Sequence, residues 1–401
     1  MVPEGWERHL VGKICSSIVP GRNKPKCFDG DIPWVTTPEI DGRYLPSSKQ
    51  KNFIAEDEIK ASGAKLVPAG SVVMAAVGEL GLVAIAKRSI VLNQQLHAFV
   101  PGKQINEEYL AYWLSTQRPF MMSIASKTTI PYLNKSNCES IPVLTPPLPE
   151  QRKISQILST WDRAITTTEQ LLANSQQQKK ALMQQLLTGK KRLLDENGLT
   201  CSEEWTAEKV GSTSRCFSGG TPSRTRDDYF GGSIPWITSS RLNDRFIDKA
   251  NEYITQEGLE NSSAKLVNRG SILIAMYGAT AGKVAINNIE RATTNQAILA
   301  LEPYDSIDSL FLFYLLEMEM NKALNLVQGG QPNLNAKIIK NIKLLMPTIE
   351  KQKKIAAIIA TADKEVKHIK QNLERMKCEK KALMQQLLTG KRRVKVDRDA
   401  A

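Results

Sequence analysis

Apolar residues recur at a 4-3 spacing along two long stretches of the chain. The first seam runs Ile154, Leu158, Trp161, Ile165, Thr168, Leu172, Ser175, Lys179, Leu182, Leu186. The second runs Ile355, Ile359, Ala362, Val366, Ile369, Leu373, Met376, Lys380, Leu383, Leu387. This is heptad spacing with polar interruptions, and each seam predicts a long helix. Pro146-Pro147-Leu148-Pro149 leads into the first helix, because proline is tolerated in a first helical turn. Gly189 and Gly390 supply the left-handed cap that ends each one. From Glu150 to Leu187 the first helix would extend about 57 Å at 1.5 Å per residue. That is too long to bury inside a small domain. It needs a partner helix, and the second seam offers one in the same chain.

The two seams also end alike. Residues 179–190 read KKALMQQLLTGK, and residues 380–391 repeat them without change. The segments ahead of the helices repeat in outline. Pro33-Trp34 matches Pro235-Trp236, and Ala64-Lys65-Leu66-Val67 with Gly70 matches Ala264-Lys265-Leu266-Val267 with Gly270. Asn93-Gln94 matches Asn295-Gln296, and Pro131, Leu133 and Asn134 match Pro332, Leu334 and Asn335. Within the first segment, Pro33–Thr36, Ser71–Gly78, Leu82–Ala86 and Leu96–Val100 carry β-branched residues between Gly and Pro and predict strands. Asn106 predicts an N-cap for a helix through Tyr109, Leu110, Trp113 and Leu114. The expected fold class is therefore α+β: two mixed α/β domains separated by a long antiparallel two-helix coiled coil, with a pseudo-two-fold internal repeat. The boundaries read as 1–147 for the first domain, 148–189 for its helix and 190–204 for a linker. The second domain takes 205–346, its helix 347–390, and a basic tail 391–401.

Composition adds a partner class. The 401 residues carry a formal net charge of +13, which favours a polyanion such as nucleic acid. Cys15, Cys27, Cys138, Cys201, Cys216 and Cys378 are scattered, with no CxxC pair to suggest zinc or a redox dithiol. The start, MVPEGWERHL, has no apolar signal core. The run Ser71–Ala86 is too short to span a bilayer and contains Glu79. The expected setting is cytoplasmic.

No catalytic constellation stands out. There is neither an Asn-Pro-Pro-aromatic nor an Asp-Pro-Pro-Tyr motif, and no glycine loop for S-adenosylmethionine. Gly278 to Val284 imitates a phosphate loop but has one residue too few between its glycines, and Val284 stands where Ser or Thr must meet magnesium. It reads as strand–turn–strand. Glu58-Ile59-Lys60 and Glu365-Val366-Lys367 lack the Pro-Asp of a nuclease motif. His9, His97 and His368 lie far apart in sequence, against metal or triad chemistry.

The layout resembles the specificity subunit of type I restriction–modification systems. The helix entry Pro147-Leu148-Pro149-Glu150-Gln151-Arg152-Lys153-Ile154 matches that family. So do the Gln-Gln-Leu-Leu-Thr-Gly-Lys exits at 184–190 and 385–391, and Ser218-Gly219-Gly220-Thr221-Pro222-Ser223. The first domain departs from that last pattern with Val19-Pro20-Gly21-Arg22, and the second helix entry is looser, at Thr348–Lys353. The resemblance implies two target-recognition domains that bind double-stranded DNA. It also implies two modification subunits and restriction–translocase subunits as partners. No cofactor is expected on this chain; S-adenosylmethionine, ATP and Mg2+ would belong to the partners.

Positions that both halves share are expected to be scaffold, and polar loop positions that differ are candidate readers. In the first domain these are Arg22, Asn23, Lys24, Lys26, Thr36, Thr37, Arg43 and Lys127. In the second they begin with Ser218, Gly219, Thr221, Ser223, Arg224 and Arg226. Ser239, Arg241, Tyr277, Lys283, Gln328 and Gln331 complete the set. Ile154, Leu158, Trp161, Gln184, Gln185 and Leu186 on the first helix are candidates for spacing and partner docking. Ile355, Ile359, Gln385, Gln386 and Leu387 are their counterparts on the second. Two other readings stay open: a coiled-coil structural or partner-binding protein with incidental charge, and a recognition half derived from a single-chain restriction–methylation enzyme.

Overall fold

A computed structural model describes residues 2–21, 23–191, 205–326 and 334–396. Arg22, Gln328, Gln331 and most of the 190–204 linker lie outside the described residues. The chain divides into two units. One is Met1–Glu169 with Gln371–Ala401, and the other is Gln170–Lys370. Each joins one globular domain to part of both long helices, Leu148–Leu187 and Ile349–Leu388.

In the first unit a five-stranded sheet has the order Cys15–Ile18, Leu96–Pro101, Val72–Ala75, Val83–Ala86, Tyr44–Leu45. A four-stranded sheet follows the order Phe53–Ile54, Ile32–Val35, Ile90–Leu92, Leu66–Val67. Both sheets are mixed: Tyr44–Leu45 runs parallel to Val83–Ala86, and Ile32–Val35 parallel to Ile90–Leu92. The expected strand over Ser71–Gly78 stops at Ala75, because Gly78, at φ 77°, turns the chain. Glu107–Thr116 forms a helix because the Asn106 side chain accepts the Tyr109 N–H at 3.1 Å. Glu107 and Glu108 suit the positive end of its dipole. Tyr109 to Leu114 are all buried, packed between the sheet and the start of the first long helix.

The second unit repeats this frame strand for strand. Its five-stranded order is Ser214–Ser218, Ile298–Pro303, Ile272–Ala275, Val284–Asn287, Phe246–Ile247. Its four-stranded order is Glu252–Ile254, Phe230–Ile237, Arg291–Thr294, Leu266–Asn268. The phosphate-loop imitation lies in the turn between Ile272–Ala275 and Val284–Asn287, the strand–turn–strand its sequence predicts.

The long helices are stitched into these cores as well as to each other, and they run antiparallel. In the first unit Ile154, Leu158, Leu387 and Leu388 share one buried cluster with Tyr109, Leu110 and Trp113. In the second, Leu186, Leu187, Ile355 and Ile359 share one with Phe311, Leu312 and Leu315. Both helix entries carry a buried glutamine. Gln151 accepts the Asn106 N–H at 2.8 Å and donates to the carbonyls of Gln104 and Pro146. Gln352 accepts the Asp308 N–H at 2.8 Å and donates to Ser306 and Pro347. A side-chain amide is well suited here, since it satisfies both a donor and acceptors that burial would otherwise orphan. The seam lysines have partners too. Lys380 pairs with Asp162 in the first unit, and Lys179 with Asp363 in the second.

Candidate nucleic-acid interface

Four loops meet at one end of the first unit, tied by backbone bonds. Asn93 donates to the Val35 carbonyl at 2.9 Å and Ala76 to that of Gln95 at 2.8 Å. Leu133 donates to Ala76 at 2.8 Å, and Gly78 to Pro131 at 2.9 Å. The Thr37 hydroxyl reaches Gln95 Oε1 at 3.2 Å. Gln94, Gln95 and Lys127 are exposed on this face, and Thr37 is half-buried. Thr36 is beside them but committed inward: its N–H and hydroxyl both donate to the buried carboxylate of Glu39, at 2.7 and 2.9 Å.

Nearby, Lys24 extends over Trp34 and Phe28, with Nζ 5.7 and 6.0 Å from the ring centroids. Asn23 and Lys26 are exposed, and the Lys26 N–H is held by Glu58 at 2.6 Å. Arg43 is placed elsewhere. Its guanidinium bonds Glu108 at 2.7 Å and stacks 3.3 Å from the Tyr112 ring centroid, at 17% side-chain exposure. That geometry ties Arg43 to the helix Glu107–Thr116, away from the loop cluster where the sequence placed it among the candidate readers. The repeat held the clue, since Arg43-Tyr44-Leu45 corresponds to Arg245-Phe246-Ile247.

The second unit gathers equivalent loops. Gly220 donates to the Thr294 carbonyl at 2.9 Å, Asn295 to Ile237 at 3.0 Å, Met276 to Ala297 at 2.8 Å, and Leu334 to Met276 at 2.8 Å. The Thr221 hydroxyl hydrogen-bonds Gln296. Gly219 belongs to the frame instead: a Cβ there would meet the Thr294 carbonyl oxygen at 2.1 Å. Gly219 is buried, so it permits a close approach and presents no side chain to a ligand. Tyr277 is 39% exposed on the turn that also bears the exposed Lys283. Ser218 ends its strand half-buried, and Ser239 opens the short 3-10 turn Ser239–Asn243.

The arginines divide by partner. Arg224 lies over Phe230 and Trp236, at 4.6 and 5.0 Å, and pairs with Glu252 at 2.9 Å. It remains 58% exposed, beside the exposed Ser223. Arg226 is clamped by Asp228 through two bonds of 2.9 and 2.6 Å and reaches Glu257 at 3.5 Å. The hydrogen bond from Arg226 holds the Asp228 carboxyl below its ordinary value. Arg241 pairs with Asp244 at 2.8 Å while its Nε is buried without a partner.

Gln95, Glu252 and Arg245 stand outside the expected set; the repeat marked Gln95, which corresponds to Ala297 in the other half, and Arg245, which matches Arg43. Among the described residues no group of three or more His, Cys, Asp and Glu is placed to hold a metal ion. No described helix is long and apolar enough to cross a membrane.

The candidates on the long helices separate by burial. Ile154, Leu158, Leu186, Ile355, Ile359 and Leu387 are buried in the chain's own cores, so their side chains are not free to dock a partner. Trp161 is half-buried in a cleft of the first unit with Ile157, Leu383 and Val394. Gln184, Gln185, Gln385 and Gln386 are all exposed.

Exposed amides, hydroxyls and cations on a hydrogen-bonded loop cluster suit DNA, where cations grip phosphates and hydrogen-bonding side chains read base edges. The family model described as "Type I restriction modification DNA specificity domain" matches residues 3–174 and again 202–376. The chain is 27% identical over 425 residues to the type I restriction enzyme MjaVIII specificity subunit of Methanocaldococcus jannaschii, covering 98% of this chain and 94% of that one. It is 22% identical over 410 residues to the MjaIX specificity subunit of the same organism, covering 98% and 95%. Its fold is similar to that of the type I restriction-modification S subunit from M. genitalium, with a TM-score of 0.59 at 14% identity over 96% of each chain. With one copy of the family domain in each half, the chain belongs to the type I restriction–modification DNA specificity family.

Proposed function

We propose that each unit reads one half of an asymmetric, two-part DNA target through the major groove, and that the long helices set the unread spacer between the halves. One observation carries this reading. The two units share a frame strand for strand, yet they differ at the exposed loop positions. The exposed Gln95 stands in one unit at the place Ala297 holds in the other. Lys24 covers Trp34 in one, and Arg224 covers Trp236 in the other. Lysine offers a point charge, whereas arginine offers a planar fork suited to guanine. One fold with two sets of readers fits two different half-sites.

In this reading the chain itself performs no chemistry. Adenine methylation with S-adenosylmethionine falls to two modification subunits, and ATP- and Mg2+-dependent translocation to restriction subunits. Adenine must leave the stack to be methylated, and that step belongs to the modification subunit. The four exposed glutamines support paired docking. Lys179, Lys380 and the Leu-Leu pairs of the repeated stretch have internal tasks, but Gln184, Gln185, Gln385 and Gln386 face solvent. Two identical outward surfaces suit two copies of one partner.

The test is to express the chain with modification subunits in a host lacking other adenine methylation, and to map N6-methyladenine across the genome. The expected motif has two unlike halves and a fixed gap. A palindromic or contiguous motif would overturn the reading.

A further inference from the structure

In the first unit an exposed apolar residue is carried on a hydrogen-bonded loop beside Gln95. Ile130 is 60% exposed, and Tyr132 beside it is 46% exposed. A lone exposed apolar residue is ordinary on a protein surface. This one sits on a laced loop. The Ser126 N–H donates to the Tyr132 carbonyl at 3.0 Å, and the Tyr132 N–H returns to Ser126 Oγ at 3.1 Å. Ser126 Oγ lies 3.0 Å from Thr128 Oγ1, which donates to the Ile130 carbonyl at 2.8 Å. Gly78 donates to the Pro131 carbonyl at 2.9 Å, and Val77 forms a bridge with Tyr132. Val77 and Gly78 adjoin Ala76, whose N–H is held by Gln95. The loop is thus braced against the neighbouring turn, and a backbone ordered in advance loses little freedom on binding.

We propose that Ile130 recognises the 5-methyl group of a thymine in the half-site read by the first unit. This rests on the DNA reading above and deepens it. In the major groove thymine presents a methyl group beside the O4 acceptor. The loop presents an apolar tip beside two exposed donors, Lys127 and Thr129. Ser126 to Tyr132 contains a lysine and no acidic residue of its own, and the exposed Glu79 lies on the adjoining turn. Apolar tip and flanking donor match apolar methyl and flanking acceptor.

The experiment uses the full chain in complex with its modification subunits. Duplexes are selected from a randomised pool, and the enriched duplex is resynthesised with deoxyuridine replacing each thymine in turn. One replacement should weaken binding about fourfold, the worth of one buried methyl group. In Ile130→Ser the thymine duplex should bind about as weakly as the uridine duplex does to the wild type, with no further loss on replacement. Ile130→Val, which keeps branched methyl groups, should retain the sensitivity. At this exposure both variants should keep the wild-type unfolding temperature, which is measured alongside. The proposal is overturned if no uridine weakens the wild type, or if Ile130→Ser stays equally sensitive. A pool that enriches no sequence would sink the DNA reading itself and this proposal with it.

Discussion

The hydroxyl of Tyr314 donates to Oδ2 of Asp363 on the second long helix at 2.8 Å. Arg245 reaches the same oxygen at 2.7 Å, and Lys179 of the first long helix pairs with the other. The first unit repeats the hub, with Tyr112 bonded to Asp162 at 2.5 Å and Lys380 on the far side. Burial pushes the Asp363 carboxyl up, but Lys179, Arg245 and Tyr314 together outweigh it and hold the group below 3.8. Asp363→Asn strands the Lys179 charge, while Glu317 still neutralises Arg245. The expected cost is about 2 kcal/mol, less than for a fully buried pair. Because the folded carboxyl is the stronger acid, its stabilisation is complete above about pH 4 and is lost as pH falls through the folded value. Urea unfolding of wild type and variant should show their gap narrowing below pH 3.8. A gap that is constant down to pH 3 would count against the hub.

His97 is a second pH-dependent element, of opposite chemistry. It is 2% exposed, its Nε2 has no hydrogen-bond partner, and the Phe99 ring lies 4.7 Å away. Burial lowers its pKa from 6.5 to about 4; Glu139 opposes the shift and Lys135 adds to it. Between those values the unfolded chain takes up a proton that the fold refuses. Stability should therefore fall with pH from about 6.5 to about 4, by at most about 1.4 kcal/mol per pH unit. The repeat places Leu299 at the corresponding strand position. His97→Leu should remove this part of the pH dependence and raise stability at pH 5. Urea midpoints at pH 7 and pH 5 check it: equal pH dependence in both proteins would exclude the histidine.

The heptad seams made both long helices legible, because 4-3 spacing survives polar interruptions. Asparagine capping made the helix after Asn106 legible for a similarly local reason. The lysines within the seams were not explicable from spacing. Their partners, Asp162 and Asp363, sit beside the seam on the other helix, about two hundred residues away in sequence. The close packing at Gly219 was illegible on the same ground: what excludes a Cβ there is Thr294, on a distant strand. The inward turn of Arg43 was legible in the repeat, since the matching Arg245 also bonds a helix carboxylate. Pairing the repeats residue by residue thus identifies inward-facing polar residues that loop polarity alone does not.

Gly390 and Gly189 end identical sequences in unlike surroundings. Both have φ of 69°, a left-handed conformation that costs other residues about 1–2 kcal/mol. A Cβ on Gly390 would lie 2.4 Å from Pro3 Cγ, whereas one on Gly189 would lie 3.4 Å from the Trp205 ring. Gly189→Ala should thus cost about the backbone strain alone. Gly390→Ala should cost more, because the rigid proline ring must move. Thermal unfolding of the two variants tests the order, and equal losses would mean that Pro3 yields freely.

Arg224 and Arg226 lie two residues apart and predict opposite outcomes on DNA. Arg224 rests on Trp236 and Phe230, pairs with Glu252 at 2.9 Å and is still 58% exposed, so its guanidinium is accessible to a base or phosphate. Arg226 is engaged by Asp228 and Glu257, and its charge is locally offset. Arg224→Ala should weaken target binding by about 1–3 kcal/mol and relax preference at one position of a single half-site. Arg224→Lys should keep part of the affinity and lose the preference, since ammonium cannot make the bidentate contact. Arg226→Ala should change neither by more than about 0.5 kcal/mol. Binding to a panel of single-base variants of the target measures all three. A uniform loss across the panel for Arg224→Ala would make it a phosphate contact, and a half-site change for Arg226→Ala would show that its carboxylate clamp opens on DNA.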